Sequence, residues 1–352
     1  MLVTFPSDCH TDSRPDDASG CLPPLPSKPH SAGCDLAMMP SSTSVIIPTR
    51  NRQPFVRELI QSILAGNHVP AEILVVDQSD DADPQLASIP TERDCAVVYL
   101  LSSSRGLSAA RNDGIRTARY DVLVFVDDDV LVTPTWLATL LSTLAQVGHR
   151  AVVTGQVQPG APEQPGAFAP SVKTDESTAV YRGRDAANVL WPNNMAMFRT
   201  AVDEVGFFDE RLGPGTKRFP GGGEDNDFCY RLLEAGYRIV YEPGALVYHR
   251  AWRRKSDYIG LRWRYGRGQG GFYGKHLNLR DRYVLRLMAA HVVGCCAGVV
   301  RYARRDPRRA VGSAANGAGI VTAVVAWLLS ERLLPTARRY RLRLPPTTRL
   351  NG

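Results

Sequence analysis

The sequence lacks the two glycine-rich loops that most often bind phosphate in α/β proteins. Neither GxGxxG nor GxxxxGKS/T follows its first short apolar run, residues 44–48. Glycines in such loops let backbone N–H groups approach a phosphate closely, so their absence disfavours a dinucleotide cofactor and P-loop chemistry.

Cysteine is also scarce, and its spacing argues against two further classes of protein. The chain has 7 cysteines, an odd number, and no CxxC pair. Neither a zinc ribbon nor a disulfide framework is indicated, and a reducing, cytoplasmic location fits best. Residues 1–42 contain no basic segment followed by an apolar run. We therefore expect a flexible leader there and no secretory signal.

Charge is distributed unevenly along the 352 residues. The formal net charge is +7, and arginines crowd the region after residue 250, whereas carboxylates cluster earlier. This asymmetry indicates a basic face for phosphates or for a membrane surface, with a solvated basic tail as the alternative. The hydrophobic content of 44% is enough for a sizeable core.

From residue 44 onward, short β-branched runs alternate with amphipathic helical segments. The predicted strands are residues 44–48, 72–77, 96–101 and 121–126, and the predicted helices are residues 54–64 and 107–119. This alternation predicts an α/β fold built on a doubly wound, mostly parallel, Rossmann-like sheet. The carboxyl ends of its strands should line one shared crevice.

Three consecutive acids, Asp127, Asp128 and Asp129, follow the fourth predicted strand. Adjacent carboxylates repel one another, so three at a strand end are costly unless a cation or hydrogen-bond donors compensate. Mn²⁺ or Mg²⁺ would do so and can also bridge a diphosphate. A solvated acidic turn, or a helix cap before Pro134, remains the alternative.

Two other strand ends should bring polar groups to the same crevice. Thr49, Arg50 and Asn51 follow the first strand, and Asp77 ends the second. A carboxylate can accept the imide N–H of a pyrimidine, and arginines can bind phosphate oxygens. These residues therefore suit a nucleoside diphosphate.

A second acidic motif lies in the other half of the chain. Three glycines at positions 221–223 precede Glu224, Asp225 and Asp227, and an amphipathic helix follows, ending near Gly236. Helix capping readily explains one acid but not three. Further on, residues 238–243 and 245–249 read as two short strands. His249, at the end of the second, is a candidate metal ligand or else a structural histidine.

An aromatic residue and two amides form a candidate sugar-binding set. Trp191 precedes Asn193 and Asn194 closely, and such pairing suits carbohydrate because sugar C–H faces pack on rings while amides bind hydroxyls. The alternation of Met195 and Met197 indicates that part of this segment is core.

The C-terminal third is basic and then apolar. Residues 251–282 interleave arginines with aromatics, which could be argued to bind nucleic acid. We instead expect a flap that contacts the donor diphosphate or a phosphorylated acceptor and uses its glycines to move. Residues 284–300 and 311–329 are apolar runs separated by arginines. They predict a re-entrant pair or an interfacial helical hairpin, with packing against the catalytic domain or a second subunit as the alternative.

Four motifs in order resemble the family 2 glycosyltransferases with the GT-A fold. They are SVIIPTRNR (44–52), ILVVD (73–77), RGLSAARNDG (105–114) and FVDDD (125–129). The resemblance covers residues 44–250 and implies transfer of a sugar from a nucleotide-diphosphate donor, usually with inversion at the anomeric carbon.

The resemblance also implies roles for single residues. It places Thr49, Arg50, Asn51 and Asp77 against the nucleoside, Arg105 and Arg111 close to it, and Asp127 and Asp128 at the ribose and near the metal. Asp129 would be the firmest metal ligand, assisted by Asp127 and His249. For Arg111 the alternative is a helix-surface cation paired with Asp113 or Asp77.

The loop that carries Glu224 and Asp225 holds the catalytic base in the family. Inverting transfer needs a carboxylate to take the proton of the acceptor hydroxyl. We expect Asp225 to be this base, with Glu224 as the alternative, and Asp227 to face the helix exterior or orient a neighbour.

The predicted organisation is a leader (1–42), a GT-A-like catalytic domain (43–250), a basic and aromatic flap (251–282) and a helical tail (283–352). The predicted act is transfer from a UDP- or dTDP-sugar to a glycan or lipid-linked acceptor in cell-envelope or extracellular polysaccharide synthesis, without nucleic acid. We expect the protein at the inner face of the cytoplasmic membrane. A metal-dependent nucleotidyltransferase or a non-catalytic nucleotide-sugar or membrane scaffold are the alternatives.

Overall fold

The computed structural model describes residues 42–90, 92–161, 167–184, 189–250 and 252–333. The predicted leader up to residue 41 and the end of the predicted tail, residues 334–352, lie outside this part of the chain.

Nine strands form one sheet. They are β1 (Thr43–Thr49), β2 (Glu72–Asp77), β3 (Ala96–Leu101), β4 (Val122–Val126), β5 (Val130–Val132), β6 (Ala151–Pro159), β7 (Ala179–Tyr181), β8 (Asn194–Phe198) and β9 (Arg238–His249). The helices are α1 (Gln53–Leu64), α2 (Pro84–Ala87), α3 (Leu107–Thr117), α4 (Trp136–Val147), α5 (Arg199–Val205), α6 (Glu224–Glu234), α7 (Tyr258–His276), α8 (Tyr283–Tyr302) and α9 (Pro307–Trp327).

The strand order is β3-β2-β1-β4-β8-β6-β9-β5, with β7 paired to β9. The first four strands pair in parallel, as the alternating sequence pattern predicts. Strand β8 then runs antiparallel between β4 and β6, whereas β6 and β9 are parallel. The predicted α/β fold is confirmed. The carboxyl ends of β1, β2 and β4 lie at one edge, where ligands bind in such sheets.

Helices cover both faces of the sheet because β1, β2 and β4 are apolar on both sides. Val45 and Ile47 of β1 face the helices α1 and α4, whereas Ile46 faces α3 and α6. All three are fully buried, and each such side chain contributes roughly 1.5–3 kcal/mol by leaving water. Gly114 lets α3 approach closely, since a Cβ there would lie 2.4 Å from Ile46.

The two strands predicted within residues 238–249 are a single bulged strand, so this prediction is wrong. Strand β9 follows β6 in parallel throughout, but its register jumps from Glu242 to Leu246 opposite Gly155 and Gln156. The Asn194 amide donates to the carbonyls of Gln156 and Ala245 at 2.9 and 2.7 Å. A buried side chain thus satisfies backbone groups that the bulge leaves without ladder partners.

The segment predicted to be a mobile flap contains a long helix, α7, that packs along α9. Its glycines permit contact between the two backbones: a Cβ on Gly266 would lie 2.1 Å from the Asn316 carbonyl, and one on Gly270 would lie 2.4 Å from that of Ile320. The structure thus gives these glycines a packing role. Helices α8 and α9 form the predicted helical hairpin.

Two helices in the described part of the chain are long and apolar enough to cross a membrane, Tyr283–Tyr302 and Pro307–Glu331. The second is partly buried against α7, so length and composition alone do not separate a membrane helix from a core helix. The exposed apolar side chains on this hairpin include Val293, Val300 and Val325.

Replacement of Gly266 by alanine should destabilise the protein by about 1–3 kcal/mol, because the new methyl group forces α7 away from α9. Gly294→Ala on α8 is the matched control, since a Cβ there meets nothing within 4 Å. It should raise stability by about 0.5–1 kcal/mol through helix propensity. Urea unfolding of both variants checks this, and equal effects would contradict the packing role of Gly266.

Candidate active site

The ends of β1 and β2 come together as predicted. The Thr49 hydroxyl, at the end of β1, donates to Asp128 Oδ2 at 2.7 Å. The next turn places Asn51 in the left-handed region, with φ of 57°, where its N–H donates to the Ser79 hydroxyl at 2.8 Å. Asparagine tolerates this conformation better than most residues. Arg50 is exposed at the mouth of the crevice.

Asp77 is fully buried at the end of β2 and orders the loop that follows. Its Oδ1 accepts from the Ser79 N–H at 2.8 Å and from the Ser79 hydroxyl at 2.5 Å, and its Oδ2 accepts from the Tyr99 hydroxyl at 2.9 Å. Arg105 lies further out, where it pairs with the exposed Asp80 at 2.8 Å.

The three consecutive acids occupy three different environments. Asp127 remains partly exposed and pairs with Arg111 at 3.0 Å. Asp128 is buried and pairs with Nη1 of Arg52 at 3.0 Å, and the same nitrogen contacts Asp129 at 2.8 Å. Two arginines from different elements therefore offset part of the charge of the triplet, which is not a solvated turn.

These environments shift the pKa values of Asp128 and Asp129 in opposite directions. Burial, with the charges of the neighbouring acids, outweighs Arg52 and Thr49 and raises the pKa of Asp128 to about 6. Burial opposes the charge of Asp129 too, but hydrogen bonds and charges from His249 and Arg52 outweigh it and lower its pKa to about 2. Asp129 therefore stays ionised at neutral pH.

Asp129 and His249 fit a divalent cation. Strand β5 pairs with β9 so that Val130 lies opposite His249, and His249 Nε2 lies 3.1 Å from Asp129 Oδ1. Neighbouring ligands on an octahedral ion with bonds of 2.0–2.1 Å are about 3 Å apart. Among the described residues no group of three acids, histidines or cysteines is close enough to hold a metal alone. Further ligands would have to be substrate phosphates or water, as is usual for Mg²⁺.

The second wall of the site starts at the three glycines. Gly221, Gly222 and Gly223 have φ of 117°, 124° and 89°, which other residues rarely adopt. A Cβ on Gly221 or Gly223 would lie 2.4 or 2.3 Å from a backbone oxygen of α7. This loop is therefore held against α7, and α6 begins directly after it with the acids in its first turn.

Arg111 joins the two walls. Its side chain is 2% exposed, pairs with Asp127 at 3.0 Å and lies 3.7 Å from Glu224. The Phe208 ring lies 5.4 Å from the guanidinium carbon. The alternative that Arg111 is a surface cation paired with Asp113 or Asp77 is wrong, since Asp113 pairs with Arg116 instead.

The pKa values of Glu224 and Asp225 are both raised, chiefly because burial disfavours the charged forms of these carboxyls. Each also feels the other, so the pair tends to hold one proton between them. Glu224 is buried toward Arg111, whereas Asp225 is half-buried and accepts from the N–H of Asn226 at 2.8 Å. Asp225 is therefore the more accessible carboxylate of the two.

The candidate sugar-binding residues divide into two groups. Trp191 is partly exposed, and Asn193 is buried with an Oδ1 that has no hydrogen-bond partner among the described residues. Asn194 is fully buried, and its Oδ1 accepts from the Trp136 indole at 2.8 Å while its amide holds the β9 bulge. Asn194 therefore has a structural role in place of the predicted contact with a sugar.

Asp227 does not face the helix exterior, one of the two positions expected for it. It is fully buried beside α7 and accepts from Arg231, Lys275 and His276. Neither Lys275 nor the role of Arg52 at the triplet is apparent from the sequence. Arg52 stands in the first motif. The signal in the sequence that could have pointed to its role is the acid triplet, because three adjacent carboxylates need a cation to balance them.

Comparison with known proteins supports one family. Residues 44–206, slightly less than half of the chain, match the model for glycosyl transferase family 2. This match supports a family 2 glycosyltransferase. The pre-mycofactocin glycosyltransferase of Mycobacterium tuberculosis is 30% identical over 237 residues, which is 63% of this chain and 46% of the relative. The chain thus spans about half the length of that relative.

Other members of the family and a solved structure agree. The glucosyl-dolichyl phosphate glucuronosyltransferase of Haloferax volcanii is 26% identical over 225 residues, covering 61% of this chain and 71% of the relative. A mannosyltransferase from Pyrobaculum calidifontis, solved with GDP-Man and Mn²⁺, superposes with a TM-score of 0.55 at 17% identity, covering 85% and 91% of the two chains. That likeness shows that the chain has the GT-A fold.

Arg111→Met should destabilise the protein by about 3–5 kcal/mol, because it leaves Asp127 unpaired beside two other acids. Adding Asp127→Asn should recover part of that loss, so the two changes should not be additive. Arg116→Met on the same helix removes an exposed pair and should cost at most about 1 kcal/mol. Urea unfolding of these three variants and of Asp127→Asn alone measures the differences, and additive losses would disprove the coupling.

Proposed function

We propose that this protein transfers a sugar from a UDP- or dTDP-sugar to a hydroxyl of a glycan or lipid-linked acceptor, with inversion at the anomeric carbon. The observation that carries the proposal is the pair of facing acid walls, Asp127 to Asp129 on one side and Glu224 with Asp225 on the other, joined by Arg111. Envelope or extracellular polysaccharide synthesis is the proposed setting.

The nucleoside part of the donor binds in the proposal at the ends of β1 and β2. Thr49, Arg50 and Asn51 lie there, with Asp77 behind them and Arg105 at the rim. Asp128 lies beside Thr49, and its carboxylate can accept a hydrogen bond from a ribose hydroxyl. Trp191 and Asn193 remain proposed sugar contacts.

Asp129 and His249 would hold a divalent cation, with Asp127 beside them. When bound, Mn²⁺ or Mg²⁺ neutralises charge on the departing diphosphate. The mannosyltransferase of similar fold was solved with Mn²⁺, which supports this choice of ion. Arg52 and Arg111 keep the remaining charge of the acids balanced.

Asp225 acts in the proposal as the base. The acceptor hydroxyl gives its proton to the Asp225 carboxylate while its oxygen attacks the anomeric carbon on the side opposite the diphosphate. A raised pKa brings a carboxylate closer to the working pH and makes it a better base. Glu224 is buried with its carboxylate 3.7 Å from Arg111, so it suits the task of fixing the position of the loop.

The helical hairpin supports a peripheral position at the cytoplasmic face of a membrane. Its exposed valines include Val293, 66% exposed, and Val300, 80% exposed. Arginines lie in the turn between the helices and in the helix ends beside it, at positions 301, 304, 305, 308 and 309. Apolar side chains flanked by arginines suit the boundary of acyl chains and anionic headgroups. A relative that acts on a dolichyl phosphate supports a lipid-linked acceptor.

Asp129→Asn and Asp225→Asn should both abolish transfer, but for different reasons. Asp129→Asn should also weaken binding of UDP in the presence of Mn²⁺, since it removes the proposed cation ligand. Asp225→Asn should bind UDP as the wild type does. Thermal shifts with UDP and dTDP, with Mn²⁺ and Mg²⁺, measure binding, and product formation measures transfer. Full activity of Asp225→Asn would remove it as the base.

The rate of transfer should rise with pH, because the base works only when ionised. Burial raises the pKa of Glu224 and Asp225, so half-maximal kcat/KM should fall well above the ordinary carboxyl pKa of about 4. Glu224→Gln should move this midpoint to lower pH, since the second acid no longer competes for ionisation. A midpoint near pH 4 in the wild type would argue against a base in this pair.

A further inference from the structure

A cluster of buried charges begins two residues after Asp225, where α6 packs against α7. At its centre is Asp227, which is fully buried. Asp227 Oδ2 pairs with Arg231 at 2.9 Å, and Oδ1 pairs with Lys275 at 2.6 Å and with His276 at 2.7 Å. The Asp227 carboxylate thus pairs with two residues of α7 and ties that helix to the first turn of α6.

Lys275 also reaches a third element. Its ammonium lies 2.8 Å from Asp209, in the loop that contains Phe208. The Phe208 ring is the one that lies beside Arg111, and its backbone is held by Asn112 through two hydrogen bonds of 2.9 and 3.0 Å. Lys275 therefore connects the loop that supports Arg111 to the helix that carries Glu224 and Asp225.

The two acids on either side of Lys275 are ionised at neutral pH. Burial alone would raise the pKa of Asp227, but His276, Arg231 and Lys275 outweigh it and lower the pKa to about 2. Burial opposes the charge of Asp209 as well, and Arg211 with Lys275 lowers its pKa. Without Lys275, Asp209 would keep Arg211, and Asp227 would keep Arg231 and His276, but the cation that the two acids share would be lost. The attraction that holds the two elements together through this shared cation would be lost with it.

We propose that Lys275 is a positioning residue for sugar transfer, which joins Asp209 to Asp227 and so sets the distance of Asp225 from Arg111 and the acid triplet. The inference rests on the proposed function in taking Asp225 as the base. Lys275 lies on α7, outside residues 44–206 that match the family model, so the C-terminal helices complete the reaction site of this chain.

The proposed role of Lys275 predicts different effects on kcat and on the donor KM. Lys275 pairs with Asp209 and Asp227, and neither acid lies at the ends of β1, β2 and β4, where the donor is proposed to bind. Donor binding should therefore not depend on Lys275. Transfer does depend on the distance between base and acceptor, and a misplacement of about 1 Å can cost about 100-fold in rate. Loss of Lys275 should therefore lower kcat and leave the donor KM unchanged.

The test compares Lys275→Met and Lys275→Arg with Arg119→Met in the full chain. Arg119 is the matched control because it pairs with the fully buried Glu72 at the opposite end of the sheet. We expect Lys275→Met to lower kcat by about 10- to 100-fold, with UDP affinity and donor KM within about twofold of the wild type. Lys275→Arg should restore most of kcat, and Arg119→Met should keep it.

Equal losses of kcat in Lys275→Met and Arg119→Met would overturn the inference, as would a loss that appears only in the donor KM. If Lys275→Met does not fold, Asp209→Asn removes half of the bridge and should give an intermediate loss of kcat with unchanged UDP affinity. An unchanged kcat in that variant would overturn the inference too.

Hydrogen exchange separates this inference from the proposed function. Amides of residues 224–227 should exchange faster in Lys275→Met than in the wild type and in Arg119→Met, whether or not any donor is turned over. If Asp225→Asn is fully active, the base assignment fails by itself. Unchanged exchange at residues 224–227 in Lys275→Met shows instead that Lys275 does not position this turn.

Discussion

The arrangement of the site depends on one buried cation. Arg111 projects from α3 between two groups of acids that come from distant parts of the sequence, Asp127 after β4 and Glu224 at the start of α6. Two acid walls at this separation repel strongly in a low dielectric. A guanidinium is always charged and presents several donors in a fixed plane, so it can hold both walls at once. Arg111 thus lies between acids of both walls.

Charge balance around Arg111 also divides the carboxylates by acidity. Asp129, beside Arg52 and His249, is held ionised, whereas Glu224 and Asp225 are shifted toward the neutral form by burial. The same functional group thus serves two purposes on two sides of one cleft, according to its surroundings. The low-pKa acid suits a permanent cation ligand, and the high-pKa pair suits proton transfer.

Residues beyond the family-matched region are part of this arrangement. The three glycines before α6 have positive φ angles, and their loop packs directly against the backbone of α7. The glycines of α7 in turn let α9 pack against its other side. Lys275 and Asp227 then tie α7 to the first turn of α6. The C-terminal helices are therefore continuous with the catalytic core, even where their outer valines face away from it.

The sequence by itself determined what depends on neighbouring residues. The apolar runs that became β1 to β4, the helices between them and the acids at their ends follow from local periodicity, and the four motifs in order identified the family. Tertiary structure alone decided the rest. In the folded protein β9 is one bulged strand, and Asn194, expected to contact a sugar, supports that bulge. The expected flap contains the helix α7. Tertiary structure also brought Arg111 to Glu224 and Lys275 to Asp227. Such pairings join residues far apart in the chain, and their distances depend on how whole helices dock, which no local pattern records.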